Sequence, residues 1–432
     1  METMSHKITG EIKISDTKEQ EIQGIGYVSD YKEKIEKYLV SPATETLEII
    51  LGGAIKLNAS DIHLEPEEES VKIRIRIDGL LQEVITIAPE VYKRLLSRIK
   101  LLSSLKLNIS DRPQDGRFSI VLENTTIEIR TSALPAENGE TIVLRILNPQ
   151  SLIELEALGF RKDLLKIVEK EIKRPHGMIV VTGPTGSGKT TTLYAFCRKI
   201  RKPENKIITI EDPIEYHLEG ISQTQVSPKK GYDFASGLKS IMRQDPDIIL
   251  VGEMRDTETV NTALQAALTG HLVLTTLHTN DAAGAVARLT SLGGMLSNIG
   301  PAVNLIIAQR LTRKVCPECK KFERVTPEEL KKLKEELLHL KLDVPHLSEE
   351  TKIPKAVGCP LCNFTGYKGR FGVFEIFSVN DKIEKFILSE SSTAALRELA
   401  IKEGMITIKQ DGLIKVLEGL TTLEEVERIV GE

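Results

Sequence analysis

Gly183, Pro184, Thr185, Gly186, Ser187, Gly188, Lys189 and Thr190, followed by Thr191, have the types and spacing of a complete phosphate-binding loop. Gly183, Gly186 and Gly188 leave the backbone free to turn its N–H groups around phosphate oxygens. Lys189 adds a point charge for β- and γ-phosphates, and the Thr190 hydroxyl can ligate Mg²⁺. Hydrolysis of a bound nucleoside triphosphate needs one carboxylate at the metal and another to orient and deprotonate water. Glu211 and Glu253 are the candidates, with Asp212 an alternative for either role. One carboxylate after a strand is more simply a helix cap or a loop charge, but two beside an intact phosphate loop read as a pair. His271 and His278 are weaker candidates as phosphate sensors, since a single His near a strand is as readily structural. Arg243, ahead of Asp245-Pro246-Asp247, belongs near the phosphates, at a subunit edge, or simply on a helix surface.

A second constellation is Cys316-Pro-Glu-Cys319 and Cys359-Pro-Leu-Cys362, separated by residues 320–358. Each pair forms a knuckle that can place two thiolates on one metal. A tetrahedral four-thiolate set selects Zn²⁺, with iron the minor alternative, and leaves no open coordination position, so the site reads as structural. A redox role is disfavoured because neither pair opens the helix of a thioredoxin-like unit. Thr326 and Glu329 form a capping box, with Pro327 at the first helical position, for a helix over 328–340 between the pairs. Cys197 falls on an apolar helix face with Leu193, Phe196 and Ile200 and reads as core.

The elements that must position these groups alternate. An apolar run from Met178 leads into the loop, and helix 189–200 leaves it. Strand 206–210, helix 233–242, strand 247–251, helix 257–269, strand 271–276 and helix 282–292 follow. Such alternation implies a parallel sheet with helices on both faces, and ligands then sit at the carboxyl ends of the strands. Before this core, residues 45–148 read as an α+β domain: helix 44–56, strands 71–77, 118–122 and 126–131, a helical stretch 89–105, and turns at Asp78-Gly79 and Asp115-Gly116. Residues 1–44 read as a short polar arm with a helix candidate at 31–40, and 149–159 as a linker. The expected divisions continue with the core at 160–313, the four-cysteine module at 314–377 and a helical segment at 378–432. There, Thr422 and Glu425 form a second capping box ahead of 423–430.

Composition sets outer limits. A chain of 432 residues, 41% hydrophobic and 28% charged, has room for two or three domains with their own cores. A formal net charge of −4, 4% aromatic residues and no Trp argue against a nucleic-acid surface. No apolar run is long enough to span a bilayer, and the first residues are too polar for a secretory signal, so a cytoplasmic location is expected.

Several stretches together resemble the secretion ATPase superfamily, the motors of bacterial type II secretion and type IV pilus assembly. In the first domain these are Ala59-Ser-Asp-Ile-His63, Ile73 to Gly79 and Arg112 to Arg117. In the core they are the phosphate loop, the aspartate box Ile210-Glu211-Asp212-Pro213, the atypical Walker B stretch Gly252 to Asp256, and the histidine box from Thr269-Gly-His271 to His278-Thr-Asn-Asp281. The stretch Gly358 to Arg370 completes the set. The resemblance implies an α/β fold: a RecA-like P-loop ATPase core with an N-terminal α+β domain and a C-terminal zinc-binding and helical module. It implies that Lys189 and Thr190 bind ATP·Mg²⁺, that Glu211 is the base, and that Glu253 acts at metal and water. Arg130 and Arg145 are implied as mobile arginines that complete the site.

It further implies a homo-hexamer, peripheral at the inner membrane, working on a platform protein and on the cytoplasmic domain of a membrane anchor protein. The four-cysteine module favours assembly or secretion, because retraction motors of the superfamily lack it. Lys239 departs from the Arg common in relatives, and the arm is shorter than the family's docking domain. Two other classes compete: a hexameric nucleic-acid translocase, and a zinc protein that binds nucleotide without hydrolysing it.

Overall fold

A computed structural model describes residues 10–122, 125–340, 346–389 and 392–431. The chain divides into two compact units: Met1–Ser151 with Gly358–Lys368, and Leu152–Val357 with Gly369–Glu432.

The first unit is built on a seven-stranded sheet. Its strands run in the order Glu11–Lys13, Gln114–Leu122, Thr125–Ala136, Gly139–Leu147, Asp61–Pro66, Val71–Ile77, Leu80–Ile87. Alternation in Val71-Lys-Ile-Arg-Ile-Arg-Ile77 explains the strand: Val71, Ile73 and Ile75 are buried, while Lys72, Arg74 and Arg76 face the other side. Asp78 and Gly79 both have positive φ, +50° and +86°, which suits the tight hairpin into Leu80–Ile87. Asp115-Gly116, expected as a turn, lies inside a strand instead. Gly116 is needed there because a Cβ would sit 2.2 Å from the Ser103 carbonyl oxygen.

The expected arm is also corrected from residue 10 onward; residues 1–9 lie outside the described residues. Helices Asp16–Gln23 and Val28–Tyr38 pack onto helix Ala43–Lys56, and Ile12, Ile22, Tyr31 and Ile35 are buried in the unit's core. Glu11–Lys13 pairs in parallel with Ser119–Val121. Polar composition hid the few apolar residues, Tyr31 and Ile35 one turn apart, that dock this stretch.

The second unit carries the phosphate loop. Its sheet runs Ser222–Gln225, Ile207–Glu211, Ile248–Val251, Leu272–Leu277, Gly177–Thr182, Val303–Val315, Tyr367–Ser378, with parallel registers from the first of these strands through Val303–Val315. Successive side chains divide between two cores. Val180, Ile210, Val251 and Val273 join one with Leu238 and Val260, whereas Ile179, Ile207, Leu250 and Leu274 join the other with Leu193, Phe196 and Cys197. This period of two, in strands buried on both faces, is the parallel α/β layering that the sequence implied. The expected linker contributes Leu155 and Leu158 to the second of these cores. Tyr367–Ser378, expected inside the cysteine module, closes the sheet, with Val373 and Phe374 facing opposite cores.

Helix Pro327–Leu337 has the expected capping box at Thr326 and Glu329 and packs with Ile408–Leu417. At the last helix, Leu423–Val430, only half of the expected box forms. Thr422 accepts from the Glu425 N–H, but the Glu425 carboxylate is taken by Arg313 and Arg428. Among the described residues no helix is long and apolar enough to cross a membrane.

Candidate functional site

Strand Gly177–Thr182 delivers the loop and helix Lys189–Ile200 carries it away. Gly183, Gly186 and Gly188 have φ of +151°, +78° and +87°. At Gly183 a Cβ would lie 2.5 Å from the Gln309 carbonyl oxygen and 2.6 Å from Ser187 Oγ, so only glycine lets the loop fold this tightly. The helix starts without a side-chain cap, which leaves its first N–H groups to an anion. Ser187 Oγ is buried with no hydrogen-bond partner among the described residues. Pro184, Thr185, Gly186 and Thr190 are exposed, and Thr191 is half-buried.

The buried Lys189 amine donates to the Gly183 and Pro184 carbonyl oxygens at 2.9 and 3.1 Å. Burial pushes its pKa down to about 8, against the opposing field of Glu253. A cradle of glycines, an unpartnered hydroxyl and a lysine held by its own loop fit a nucleotide phosphate chain.

Glu253 follows the strand Ile248–Val251. Its carboxylate pairs with Arg255 and lies 3.7 Å from His278 Nε2. Arg255 also lies 3.7 Å from Asp212 Oδ2. Burial and the charge of Lys189 hold the His278 pKa below its ordinary value. Lys189, Glu253, Arg255, His278 and Asp212 therefore form one electrostatic cluster at the carboxyl ends of the strands. Gly252 lets Glu253 come close to the aspartate box, because a Cβ there would be 3.3 Å from the Ile210 carbonyl oxygen.

Glu211 is turned inward. The residue is 3% exposed, and its carboxylate accepts hydrogen bonds from the Tyr194 hydroxyl, from Thr209 Oγ1 at 2.5 Å and from Gln223 Nε2 at 3.2 Å. Burial raises its pKa, and the three donors oppose that shift.

The loop that carries His278 is tied down on both sides. The Thr279 N–H donates to Thr182 Oγ1 at 2.9 Å, and the Arg310 guanidinium donates to the Asn280 carbonyl oxygen at 2.8 Å.

Two expected contributors, His271 and Arg243, lie elsewhere in the second unit. His271 precedes the strand whose far end leads to His278, and its Nδ1 lies 3.1 Å from the Ala266 carbonyl oxygen. Six strand residues, about 20 Å, separate it from the phosphate-loop end of the sheet. Arg243 caps helix Phe234–Met242 and donates to the Lys239 carbonyl oxygen and Ser240 Oγ of that helix. Arg130 and Arg145 are register partners in the first unit, where Arg145 Nε donates to Asp61 Oδ1 at 3.2 Å and Arg130 Nε lies 3.5 Å from Glu128.

Sequence reasoning missed Tyr194, Arg255, Gln309 and Arg310. Arg255 had a signal, a cation two residues after Glu253. Gln309 and Arg310 had none, because their strand, Val303–Val315, was not read as one.

The sulfur atoms of Cys316, Cys319, Cys359 and Cys362 all lie within 4.8 Å of one another. The Cys359 and Cys362 sulfurs are 3.8 Å apart. That equals the edge of a tetrahedron with a metal–sulfur distance near 2.3 Å, about 3.8 Å. The N–H groups of Cys359 and Gly366 point at Cys362 Sγ at 3.2 Å, as donors to a thiolate do. The four residues fit Zn²⁺.

A family model described as Type II/IV secretion system protein matches residues 36–428. The chain is 42% identical over 393 residues to the type II secretion system ATPase E of Vibrio cholerae, covering 91% of this chain and 76% of that one. It is 41% identical over 391 residues to the type IV pilus assembly ATPase PilB of Thermus thermophilus, covering 89% of this chain and 43% of that one. Among solved structures, the pilus retraction motor PilT with bound ADP is 27% identical with a TM-score of 0.58, covering 88% of this chain and 95% of that one. The Legionella pneumophila ATPase DotB shares the fold, with a TM-score of 0.65 at 21% identity, covering 88% and 94%.

Proposed function

The chain belongs to the type II/IV secretion system protein family, and we propose that it is the ATP-hydrolysing motor that drives assembly of a secretion pseudopilus or a type IV pilus. It is an ATPase, and the observation that carries the reading is the phosphate loop facing Glu253, His278 and Arg255, in a chain 42% identical over nine-tenths of its length to a secretion ATPase. Lys189 exchanges the Gly183 and Pro184 carbonyl oxygens for β- and γ-phosphate oxygens. The Thr190 hydroxyl would hold Mg²⁺, which would neutralise charge on those oxygens.

Glu253 acts at the metal and the attacking water. Glu211 is the base, and its burial supports that role by bringing a carboxylate closer to neutral pH. Cys316, Cys319, Cys359 and Cys362 hold a structural Zn²⁺. The working form is a homo-hexamer on the cytoplasmic side of the inner membrane, completed by Arg130 and Arg145 and engaging a platform protein and the cytoplasmic domain of a membrane anchor protein.

The test is ATP turnover by the zinc-replete protein against protein concentration, with single- or double-stranded DNA or a platform cytoplasmic domain added. Turnover per chain that rises with concentration and with the platform domain, and ignores DNA, is expected. Stimulation by DNA alone would replace this reading with a translocase, and no turnover under any condition would leave a nucleotide-binding zinc protein.

A further inference from the structure

We propose that Tyr194 is a positioning residue for the aspartate-box base: its phenol sets Glu211 in register with the metal-binding turn of the phosphate-loop helix. The inference rests on the ATPase reading above and deepens it. Thr190 and Tyr194 are four residues apart on helix Lys189–Ile200, so they share a face one turn apart. Thr190 stands at the exposed end of that face, while Tyr194 is completely buried.

The Tyr194 hydroxyl donates to one Glu211 oxygen, and Thr209 and Gln223 donate to the other. The same hydroxyl accepts the Glu215 N–H at 3.3 Å, and its ring meets that of Tyr216 edge-on at 6.4 Å. One side chain thus joins the phosphate-loop helix, the end of the Ile207–Glu211 strand and the loop beyond it.

Strand parity makes this a directed arrangement. Thr209 and Glu211 share the strand face that looks toward this helix, whereas Ile208 and Ile210 enter the opposite core. Displacement of the helix start by nucleotide is therefore passed directly to the carboxylate. A donor to the ionised form also favours that form, so the phenol holds the Glu211 pKa down against burial.

The experiment compares wild type and Tyr194→Phe for kcat, KM and the kcat–pH profile, alone and in a Glu211→Gln background. A fluorescent ADP analogue reports binding. Tyr194→Phe is expected to lower kcat by about ten-fold with KM and ADP affinity within about two-fold, and to move the acidic limb of the profile upward by about one pH unit. In the Glu211→Gln background the same change should alter residual kcat by less than about two-fold, because its target is gone. An equal kcat loss in both backgrounds, or an unmoved acidic limb, would overturn the proposal.

Should Tyr194→Phe not fold, Thr209→Val removes a second donor to the same carboxylate and must move the same limb upward; an unmoved limb there counts equally against it. Failure of the ATPase reading is distinguishable, since wild type would then show no turnover dependent on Lys189.

Discussion

Nucleotide affinity should fall steeply between pH 7 and pH 9, because in the empty loop burial has lowered the Lys189 pKa from 10.5 to about 8. Bound phosphates supply the opposite charge that restores the protonated form, so binding takes up a proton wherever the free amine is neutral. With a free pKa near 8 and a bound pKa well above 9, the dissociation constant scales as 1 + 10^(pH − 8). That factor is about 1.1 at pH 7 and about 11 at pH 9, a ten-fold loss of affinity. The assay is titration with a fluorescent ADP analogue at constant ionic strength and with Mg²⁺ chelated. Lys189→Arg, charged throughout, should bind with a flat profile.

A change below two-fold in wild type, or an equal slope in Lys189→Arg, would refute the assignment of the proton to this amine. The sign for stability follows from the same shift. The folded chain binds fewer protons than the unfolded one between pH 8 and 10.5, so this group makes stability rise with pH across that window. Below pH 8 its buried charge costs about 3 kcal/mol.

Three further outcomes are expected. Zinc should co-purify stoichiometrically with the chain, and Cys362→Ser should abolish retention and lower the thermal midpoint, read by elemental analysis and calorimetry; unchanged zinc content would refute the four-thiolate site. Asp411 is fully buried between Arg161, Lys415 and the Phe374 N–H, so Asp411→Ala removes the paired carboxylate of the buried Lys415, while Arg161 keeps Asp163, and should cost about 3–5 kcal/mol in urea unfolding. A loss below about 1 kcal/mol would show that Lys415 finds another partner. His271→Ala should leave ADP affinity within about two-fold, since screening removes most of its influence over about 20 Å; a ten-fold loss would contradict its placement at the far end of the strand.

The parts of the fold that were legible are those fixed by local chemistry. Gly183 to Thr190, the Asp78-Gly79 hairpin and the Thr326 capping box each carry their geometry within a few residues, and the helix at 189–200 was read to its ends. Strands whose identity depends on distant partners were not. Val303–Val315 holds only a short apolar run, Leu305 to Ala308, that a helix would also explain, and pairing with Gly177–Thr182 makes it a strand. With it went Gln309, whose carbonyl oxygen forces glycine at 183, and Arg310, which holds the His278 loop. The docking of residues 10–38 is hidden for the converse reason, although the helix expected at 31–40 is present as Val28–Tyr38. Their polar residues set the composition, while a handful of isoleucines and Tyr31 decide where the segment lies.

The choice between Glu211 and Asp212 turns on a single peptide unit. Strand parity places Glu211 on the face of Thr209, toward the phosphate-loop helix, where three donors fix it. Asp212 falls beyond the last paired residue of that strand, more than a third exposed, and its carboxylate lies 3.7 Å from Arg255. Two neighbouring carboxylates of similar chemistry thus have different environments: one is desolvated and held, the other solvated and screened. A base for water must have a raised pKa and a fixed direction, and the desolvated carboxylate has both. The proposed role of the solvated one is to set the position of Arg255, which it approaches at 3.7 Å, and through it of Glu253. On this division Asp212→Asn should change kcat far less than Glu211→Gln, by about ten-fold against about a hundred-fold or more. Equal losses in single-turnover measurements would mean that the two carboxylates share the proton.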